Sequence, residues 1–529
     1  MVSKKLQVWL PLLFAVMMVI GMWLGYQLRA NTTGGNSFIS NNKSNSLQEV
    51  LNLIQSKYVD PVSMDSLKID AINEMLSHLD PHSIYIPAKE LQSVNEDMRG
   101  NFQGIGVQFQ IFDDTVNVVN VIPGGPSEKA GVLTGDKFIS VNDTVKVAGI
   151  HITADSIKEL LRGPAGSKVK VTFLRDGSLK PLTIQRGTIP LPSVDAAYLI
   201  SPETGFIHIG RFSETTYVEF MEAMEKLQAG GMKKLILDLR GNGGGILQQA
   251  TNIADEFLDD QKMIVYTKGD KIENMEIRCS KEGVFETGPL AVLVDETSAS
   301  ASEVLSGALQ DWDRATIIGR RTFGKGLVQQ QYGLTDGGAL RLTVARYFTP
   351  LGRNIQKPYN KGIQNYEDEL IERFHNGEVV HGDTSTPVGP AFKTKSGHLV
   401  YGGGGITPDI FIPFDTTSQP KQVLQMYIKG TLSDFVYRYY LQNKRALAAF
   451  SSPVVLYRQF QPDEKLWKDL VAYAAKDSIN LTNLSAGAKS DILKRFEALL
   501  GRQIWRTEGY IEINNEDDPM VRKALEVLK

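Results

Sequence analysis

The feature that most constrains the fold of this chain is an alternation of strand-like and helix-like segments in its middle. From Phe206 onward, the strand-like "GFIHIGRF" leads to the helical "VEFMEAMEKLQAGG", then to the apolar "KKLILDL" and the glycine cluster "RGNGGG". The same order continues through "LAVLVDE", "TSASASEVLSGALQDW" and "ATIIGR". Alternating strands and helices form a sheet with helices packed on it, so this pattern predicts an α/β layer.

The remainder of the chain predicts further domains around this layer. A chain of 529 residues is too long for one hydrophobic core. Short amphipathic helices broken at Asp80-Pro81 precede a strand-rich stretch that holds one helix, "TADSIKELLRG". The predicted domains are helical over 47–99, strand-rich over 100–190, α/β over 191–419 with a polar, irregular insertion at 357–398, and helical over 420–529.

The N-terminus predicts attachment to a membrane. The run from Leu6 to Leu28 carries no charge, follows two lysines, and is long enough to cross a bilayer as a helix. Lysines before the run favour a cytoplasmic N-terminus and place the rest of the chain outside the cytoplasm. We therefore expect an anchor over 1–28 and a flexible tether over 29–46, with a cleaved signal peptide as the alternative.

Composition excludes several classes of protein. A formal net charge of −3, from 57 basic and 60 acidic residues, gives no reason to expect a nucleic-acid partner. The single cysteine, Cys279, excludes an internal disulfide framework. Its neighbourhood, "EIRCSKEG", holds no histidine and no recognisable signature, so we expect an inert thiol.

The stretch "TSASASEVLSGALQDW" permits two interpretations. Ser300 and Glu303 have the S-x-x-E spacing of a capping box at a helix start. A serine there is also a candidate nucleophile, because the positive end of a helix favours a developing anion. Nucleophilic serine requires a base, and the seven histidines of the chain are scattered away from this stretch.

The local alternative to histidine as the base is a lysine. Lys325 stands between two glycines in "RRTFGKGLVQQQYG", at a tight turn before an apolar strand. It acts as a base only when neutral, so burial must lower its pKa from about 10.4. Gln329, four residues on, offers a carbonyl oxygen that orients the amine without adding negative charge.

The glycine cluster "RGNGGG" predicts an anion site. Glycines after an apolar strand leave backbone N–H groups free to face an anion, and a helix begins just behind them. The cluster lacks the Lys-Ser/Thr of a P-loop and the spacing of a dinucleotide fingerprint, so the pattern does not favour nucleotide binding.

Taken together, these stretches resemble the carboxyl-terminal processing peptidases, the tail-specific serine proteases that use a Ser-Lys dyad and carry a PDZ domain. The resemblance covers roughly Leu47 to Pro413. It rests on seven stretches in one order: "LDPHSIYI", "GNFQGIGVQF", "LILDLRGNGGG", "TSASASEVLSGALQD", "TFGKGLVQQ", "YFTPLGRNIQ" and "GGITPDI". It implies a multidomain α/β fold, with a crotonase-like protease core and an inserted PDZ domain.

The resemblance also implies roles for single residues. Ser300 is the implied nucleophile, Lys325 the base and Gln329 the residue that orients it. The implied oxyanion hole uses the N–H of Ala301 and one from the glycine cluster, for which we choose Gly244 over its neighbour Gly245. The family usually reads R-x-N-P-G-G here, whereas this chain has a glycine in place of the proline.

The stretch "GIGV" is similar to the carboxylate-binding loop of a PDZ domain. Its residues are Gly104, Ile105, Gly106 and Val107. Successive N–H groups in such a loop bind a terminal carboxylate while the last residues of the peptide add as a strand. Ile157, Leu160 and Leu161 are candidates either for an apolar pocket beside the loop or for ordinary core.

The expected function is that of an endopeptidase, anchored in the inner membrane and facing the periplasm, which recognises protein C-termini and forms an acyl-enzyme on Ser300. We expect no metal or cofactor. The expected partners are unfolded or C-terminally exposed proteins, with an adaptor or a second copy on the C-terminal helices. Two alternatives remain at this point: a non-catalytic PDZ adaptor and a crotonase-type acyl-thioester enzyme. Whether the PDZ domain activates or inhibits stays open.

Overall fold

A computed structural model describes residues 14–24, 46–259, 261–382, 389–415 and 420–529. The chain divides into two compact units at Ile72 and Asn73. The first contains α1 (residues 14–24), α2 (Ser46–Lys57) and the start of α3 (Met64–Ser77). Most of the predicted anchor and tether, residues 1–13 and 25–45, lies outside the described residues. Within the described ranges, no helix is long and apolar enough to span a membrane.

The second unit is built around a six-stranded sheet. Its strand order is β10-β11-β12-β15-β16-β21, parallel except for the antiparallel pair β10 and β11. The central strands β12 and β15 are mostly apolar and almost entirely buried, as expected for a parallel sheet covered on both faces. The strands are β10 (Val194–Ser201), β11 (Thr204–Ile209), β12 (Lys234–Asp238), β15 (Leu290–Val294), β16 (Thr316–Gly319) and β21 (Ile410–Phe411).

Side chains alternate between the two faces of this sheet. Ile207 and Leu237 pack with the helices α7 (Thr216–Ala229), α8 (Leu247–Asp255) and α9 (Ala301–Asp311). Phe206 and Ile236 pack on the other face with α17 (Pro519–Val527). The predicted α/β layer is therefore confirmed, and its second face is covered by the C-terminal end of the chain.

A second, antiparallel sheet packs near α8 and α9. Val265 and Tyr347, from two of its strands, belong to the same core as these helices. Its strands are β1 (Ile84–Ile86), β13 (Met263–Lys268), β14 (Met275–Arg278), β17 (Leu327–Gly333) and β18 (Ala339–Phe348). Strand β1 follows α3 and precedes α4 (Ala88–Arg99), so part of the predicted N-terminal helical segment joins this sheet.

The strand-rich segment forms its own sheet and core. The order is β3-β4-β5-β7-β8, with β6 beside β5, which leaves β3 at an edge. Strands β2 and β9 pair at the entry and exit of the segment. The elements are β2 (Asn101–Gly104), β3 (Val107–Phe112), β4 (Thr115–Val121), α5 (Pro126–Lys129), β5 (Lys137–Val141), β6 (Val145–Lys146), α6 (Ala154–Leu161), β7 (Lys168–Arg175), β8 (Ser178–Gln185) and β9 (Gly187–Pro190).

The insertion at 357–398 is more ordered than we predicted. It contains α10 (Ile363–His375), α11 (Glu378–His381) and β19 (Ala391–Lys393), the last paired with β20 (Leu399–Tyr401). The prediction of an irregular segment was wrong because α10 is polar in sequence and starts at Gly362 without a side-chain cap. Its buried face includes an arginine, Arg373, which a hydrophobic pattern does not reveal.

The C-terminal segment is helical, as predicted. Helices α12 to α16 have their own core, to which Phe435, Leu470 and Phe496 contribute. Helix α16 contains a kink at Arg506, whose φ of 64° and ψ of −147° are not helical. The helices are α12 (Lys421–Ile428), α13 (Thr431–Leu447), α14 (Pro453–Gln459), α15 (Glu464–Lys476) and α16 (Ala486–Asn515).

Candidate active site

The residues predicted for catalysis line one cavity. Ser300, Lys325 and Gln329 surround a space of about 520 Å³, together with the glycine cluster at 243–245. Ser300 lies where β15 passes into α9, and Lys325 lies in the loop between β16 and β17. The structure thus brings together elements that are separated in sequence, although no hydrogen bond joins Ser300 Oγ to Lys325 Nζ among the described residues.

Ser300 has a strained backbone at the start of α9. Its φ of 56° and ψ of −112° lie in a region that costs a residue with a side chain about 1–3 kcal/mol. Such strain persists only where surrounding contacts impose it. The next N–H, that of Ala301, donates to no group in the part of the chain that the structure describes, and it lies at the positive end of the helix. This geometry suits the stabilisation of an anion.

A buried carboxylate holds Ser300 in this conformation. Glu303 accepts from the backbone N–H of Ser300 (2.8 Å), Lys325 (2.8 Å) and Gly324 (2.7 Å), and from Thr322 Oγ1 (2.6 Å). Burial raises the pKa of Glu303, and these four donors oppose that shift. The S-x-x-E spacing predicted the bond to Ser300. The bonds to the lysine loop could not be predicted, because they cross 19 to 22 residues of chain.

Lys325 is half-buried, and its amine is held by a neutral acceptor. Burial lowers the pKa of Lys325, the charge of Arg341 lowers it further, and Glu303 and Asp80 act in the opposite direction. Its Nζ donates to Gln329 Oε1 at 3.1 Å, as the sequence predicted. The side-chain amide of Gln329 in turn donates to the carbonyl oxygen of His82, which fixes its orientation. A lowered pKa increases the neutral fraction that a general base requires.

The glycine cluster approaches the start of α9 closely. At Gly244, with φ of 98°, a Cβ atom would lie 2.7 Å from Ser300 Cβ and 3.1 Å from Ala301 N. The N–H of Gly244 donates to Asn242 Oδ1 at 2.8 Å, and so it is already occupied. The N–H of the neighbouring Gly245 has no partner among the described residues. Both glycines line the cavity.

Ser298 and Ser302 serve the structure around the nucleophile candidate. Ser298 Oγ donates to the carbonyl oxygen of Leu239 at 2.8 Å, and Ser302 Oγ donates to that of Asn242 at 2.9 Å. Both side chains are fully buried. These two hydrogen bonds attach the serine stretch to the segment that holds the glycine cluster. A structural role for Ser298 and Ser302 agrees with the prediction that Ser300 is the nucleophile of this stretch.

Two residues near the cavity had no role in the sequence-based prediction. The hydroxyl of Tyr347, in the "YFTPLGRNIQ" stretch, lies within hydrogen-bonding distance of the carbonyl oxygens of both Ser300 and Lys325. His82 comes from the distant "LDPHSIYI" stretch, and its Nε2 contacts Tyr366 Oη at 2.8 Å. Burial, and next the charge of Lys325, lower the pKa of His82 to about 4. Both stretches were recognised as motifs, but their contacts depend on tertiary structure.

The insertion supports the loop that precedes Lys325. Arg373 of α10 is buried and donates to the carbonyl oxygens of Arg321, Thr322 and Phe323, at 3.1, 2.8 and 3.2 Å. Its charge is balanced by Glu369, at 2.7 Å. One buried guanidinium therefore satisfies three successive backbone acceptors of a loop that has no regular secondary structure.

The "GIGV" stretch lies in a groove of the strand-rich domain. Ile105 and Gly106 fall between β2 and β3, and in the described part of the chain their N–H groups donate to no other residue. Gly106 has φ of 75°, a left-handed conformation that favours glycine. The three apolar residues considered on α6, Ile157, Leu160 and Leu161, all belong to the domain core or pack against it, and of these three only Leu161 also lines the groove.

Comparison with known sequences identifies similar families. The profile of Peptidase family S41 matches residues 203–365, and that of a PDZ domain matches residues 103–185. Residues 423–506 match a family of unknown function, DUF8443.

Two bacterial proteins are similar over most of their length. A carboxy-terminal-processing protease of Bartonella bacilliformis is 36% identical over 361 residues, which cover 66% of this chain and 82% of that protein. The carboxy-terminal processing protease CtpA of Bacillus subtilis is 36% identical over 343 residues, covering 62% and 71%. Among solved structures, the photosystem II D1 C-terminal processing protease is 27% identical, covers 71% of this chain and 88% of its own, and has a TM-score of 0.36.

Proposed function

Because this chain belongs to peptidase family S41, and is a serine protease with a PDZ domain, we propose that it cleaves proteins whose C-terminus the PDZ domain recognises, using Ser300 and Lys325. The observation that carries the proposal is the single cavity that holds Ser300, a lysine of lowered pKa and free backbone N–H groups. These are the three parts that serine attack on an amide requires.

In the proposed mechanism, neutral Lys325 removes the proton of Ser300 Oγ as this oxygen attacks the scissile carbonyl. Gln329 keeps the lone pair of the amine directed into the cavity. The N–H of Ala301 and one of the glycine cluster stabilise the oxyanion. We predicted Gly244 as the second donor, and because its N–H donates to Asn242, Gly245 is the donor left available in this conformation.

The intermediate then collapses toward an acyl-enzyme. The protonated Lys325 gives its proton to the departing amine, which leaves with the C-terminal part of the substrate. Water enters, loses a proton to Lys325 and attacks the ester on Ser300 Oγ. The second tetrahedral intermediate expels Oγ, which recovers the proton and restores the starting state.

Glu303 positions these parts without touching the substrate in this scheme. It fixes the backbone at both Ser300 and Lys325 through one carboxylate. Fixing both ends of the dyad from a third residue limits their relative movement, and small displacements of reacting groups cost large factors in rate.

Recognition of the substrate C-terminus is assigned to the loop from Gly104 to Val107. The unpartnered N–H groups of Ile105 and Gly106 are suited to bind a carboxylate, and the free edge of β3 to add the preceding residues as a strand. We further propose that residues 1–28 hold the protein in the cell envelope, with the bulk in the periplasm. Digestion of this bulk by a protease added to spheroplasts, but not to whole cells, supports that location, and resistance in spheroplasts contradicts it.

The test compares the full-length chain, in detergent micelles, with Ser300→Ala and Lys325→Ala. A 30-residue unstructured peptide is supplied as the free acid and as the C-terminal amide, and fragments are measured by mass spectrometry. Both variants should lose at least about 10³-fold in kcat/KM, and amidation should slow the parent enzyme about tenfold.

Ser302→Ala is the matched control, since it removes a hydroxyl that belongs to the same stretch but does not line the cavity. It should keep activity within a few-fold. Retention of cleavage by Ser300→Ala contradicts the Ser-Lys dyad. Equal cleavage of the free acid and the amide contradicts recognition of the C-terminus but leaves the dyad standing.

A further inference from the structure

The peptide groove is a space of about 410 Å³ along β3 and α6. Gly104 to Val107 lie at one end of it, Gln108 to Gln110 of β3 continue along its floor, and Ala154, Lys158 and Leu161 of α6 form one side. Strand β3 has a partner on only one edge. An extended peptide that pairs with this free edge would therefore run along the groove.

The opposite side of the groove comes from a different domain. Leu499, Arg502 and Gln503 of α16 line the groove, and so does Ser433 of α13. These residues are more than 300 positions away from the "GIGV" stretch. They belong to the segment that matches a family of unknown function.

Polar contacts fix this wall against the strand-rich domain. The guanidinium of Arg506 donates to the carbonyl oxygen of Val121 at 2.8 Å, at the end of β4. On α13, Tyr437 Oη donates to the carbonyl oxygen of Val118 at 3.1 Å, and Arg438 pairs with Asp113 at 2.8 Å. The kink of α16 occurs at Arg506 itself, four residues after Arg502. The residue with the non-helical backbone is therefore one that attaches α16 to the strand-rich domain.

The groove carries positive charge only. Lys158, Arg162 and Arg502 line it, and no aspartate or glutamate of the described residues does so. Lys158 pairs with Asp155 at 2.9 Å, and Arg162 with Glu96 at 3.0 Å.

Arg502 differs from the other two cations. In the described ranges it forms no ion pair and donates no hydrogen bond, and its side chain is exposed. Burial raises the pKa of the Asp195 carboxyl group, and the charge of Arg502 is among those that act in the opposite direction. An exposed, unpaired guanidinium at the edge of a peptide groove is available to a carboxylate of the ligand.

We propose that α16 is part of the peptide-binding site and that Arg502 selects substrates with an acidic side chain close to their C-terminus. The proposal rests on the proposed function, because it assumes that a C-terminal peptide occupies the groove. The terminal carboxylate binds the N–H groups of Ile105 and Gly106, and an aspartate or glutamate a few residues earlier pairs with Arg502.

The helix α17 packs at the protease core and does not line the groove. Leu528 is buried with Met520 and Val521 against the six-stranded sheet, and the carbonyl oxygen of Lys529 accepts from Lys234 Nζ at 3.4 Å. Both ends of α17 are thus engaged at the protease core.

The test measures binding of fluorescein-labelled ten-residue peptides to the full-length chain in a Ser300→Ala background, which prevents cleavage. The reference peptide ends in valine, has a free carboxylate and contains no acidic side chain. Four further peptides carry one glutamate each, at the second to fifth position from the C-terminus. At low ionic strength one of them should bind about threefold more tightly than the reference, the size expected for one exposed ion pair.

Three variants identify the residue responsible. Arg502→Gln should abolish the threefold preference, and Arg502→Glu should reverse it into a preference for lysine at the same position. The matched control is Arg495→Gln, on the same helix, whose guanidinium lies over the ring of Tyr510 at 5.1 Å and outside the groove. It should leave the preference unchanged.

The outcomes separate this inference from the proposed function. An unchanged preference in Arg502→Gln, or tighter binding of every peptide by that variant, overturns the role of Arg502 while C-terminal recognition stands. Equal binding of the reference peptide and its C-terminal amide, or no binding of either, overturns C-terminal recognition and this inference together.

Discussion

The active-site cavity and the peptide groove both contain glycines with positive φ, yet they differ in how far their charged side chains are exposed to solvent. In the cavity, Glu303 is fully buried and Lys325 is half-buried, and burial shifts the pKa of both. In the groove, by contrast, the cationic side chains of Lys158 and Arg502 are exposed to solvent. Reactivity requires a titratable group whose ordinary charge state is disfavoured, whereas recognition requires charges and N–H groups that stay available to a partner.

The largest effect on activity is expected when the buried carboxylate of Glu303 is replaced. In the parent protein the carboxylate of Glu303 accepts hydrogen bonds from the backbone N–H groups of Ser300 and Lys325. Glu303→Gln places an amide NH₂, itself a donor, against these N–H groups, so the backbone at the two residues loses its common acceptor. We expect kcat/KM for a fluorogenic peptide to fall at least about 100-fold, and the free energy of unfolding to fall by about 2 kcal/mol.

Glu296→Gln is the control for this change. Glu296 is also buried, but its partner is Arg320, at 2.6 Å, and it does not line the cavity. It should lower stability with activity kept within a few-fold. If Glu303→Gln loses stability but remains active, the cavity does not depend on this carboxylate.

An intermediate effect is expected in the groove, and only on recognition. Gly106→Val imposes a β-branched side chain at φ of 75°, with its Cβ 3.1 Å from Ile189 Cδ1. Affinity for a C-terminal peptide should fall about tenfold, while cleavage of a short substrate with a blocked C-terminus stays within twofold. Isothermal titration calorimetry and steady-state kinetics measure the two quantities.

Gly124→Val is the control for Gly106→Val. It introduces similar backbone strain at a site outside the loop from Gly104 to Val107. Gly124 has φ of 69°, and a Cβ there meets nothing within 4 Å. This control should lose stability but keep peptide affinity. A similar loss of affinity in both variants would mean that strain in the domain, rather than the loop, determines binding.

The smallest effect concerns the stability that the protein loses by burying the amine of Lys325. The folded state lowers the pKa of Lys325, so it disfavours the charged amine that the unfolded chain carries. Lys325→Met should therefore raise the free energy of unfolding by about 1 kcal/mol at neutral pH. The penalty in the parent is complete below the lowered pKa and disappears as pH rises toward the ordinary value for lysine, so the gain should shrink between pH 7 and pH 9.5.

Denaturant unfolding of the parent and the variant at several pH values checks this prediction. Lys357→Met is the contrasting control. Lys357 forms an ion pair with Glu369 at 2.9 Å, so its replacement should lower the free energy of unfolding instead of raising it. A gain for Lys325→Met that is constant across the pH range would mean that packing, and not the charge of the amine, causes it.

Much of the active site could be predicted because its chemistry follows the chain locally. Lys325 and Gln329 are four residues apart, in a loop and in the strand β17 that follows it, and this short separation places the amine beside its acceptor. The serine stretch is the start of α9, and its capping pattern is a local property that does not depend on where the helix packs. By contrast, Tyr347 and Arg373 reach this loop, and His82 reaches Gln329 in β17, from distant segments of the chain. No local pattern indicates a contact across such separations.

The sequence by itself determined the α/β layer, the serine stretch at a helix start, the glycine-rich turns and the helical C-terminal segment, because hydrophobic period and turn chemistry are local properties. Only the tertiary structure decided that α10 supports the lysine loop, that α17 covers the six-stranded sheet and that α16 forms a wall of the peptide groove. These contacts depend on which exposed helix faces meet which domains. That choice is made by the packing of the whole chain, which the period of a single helix does not encode.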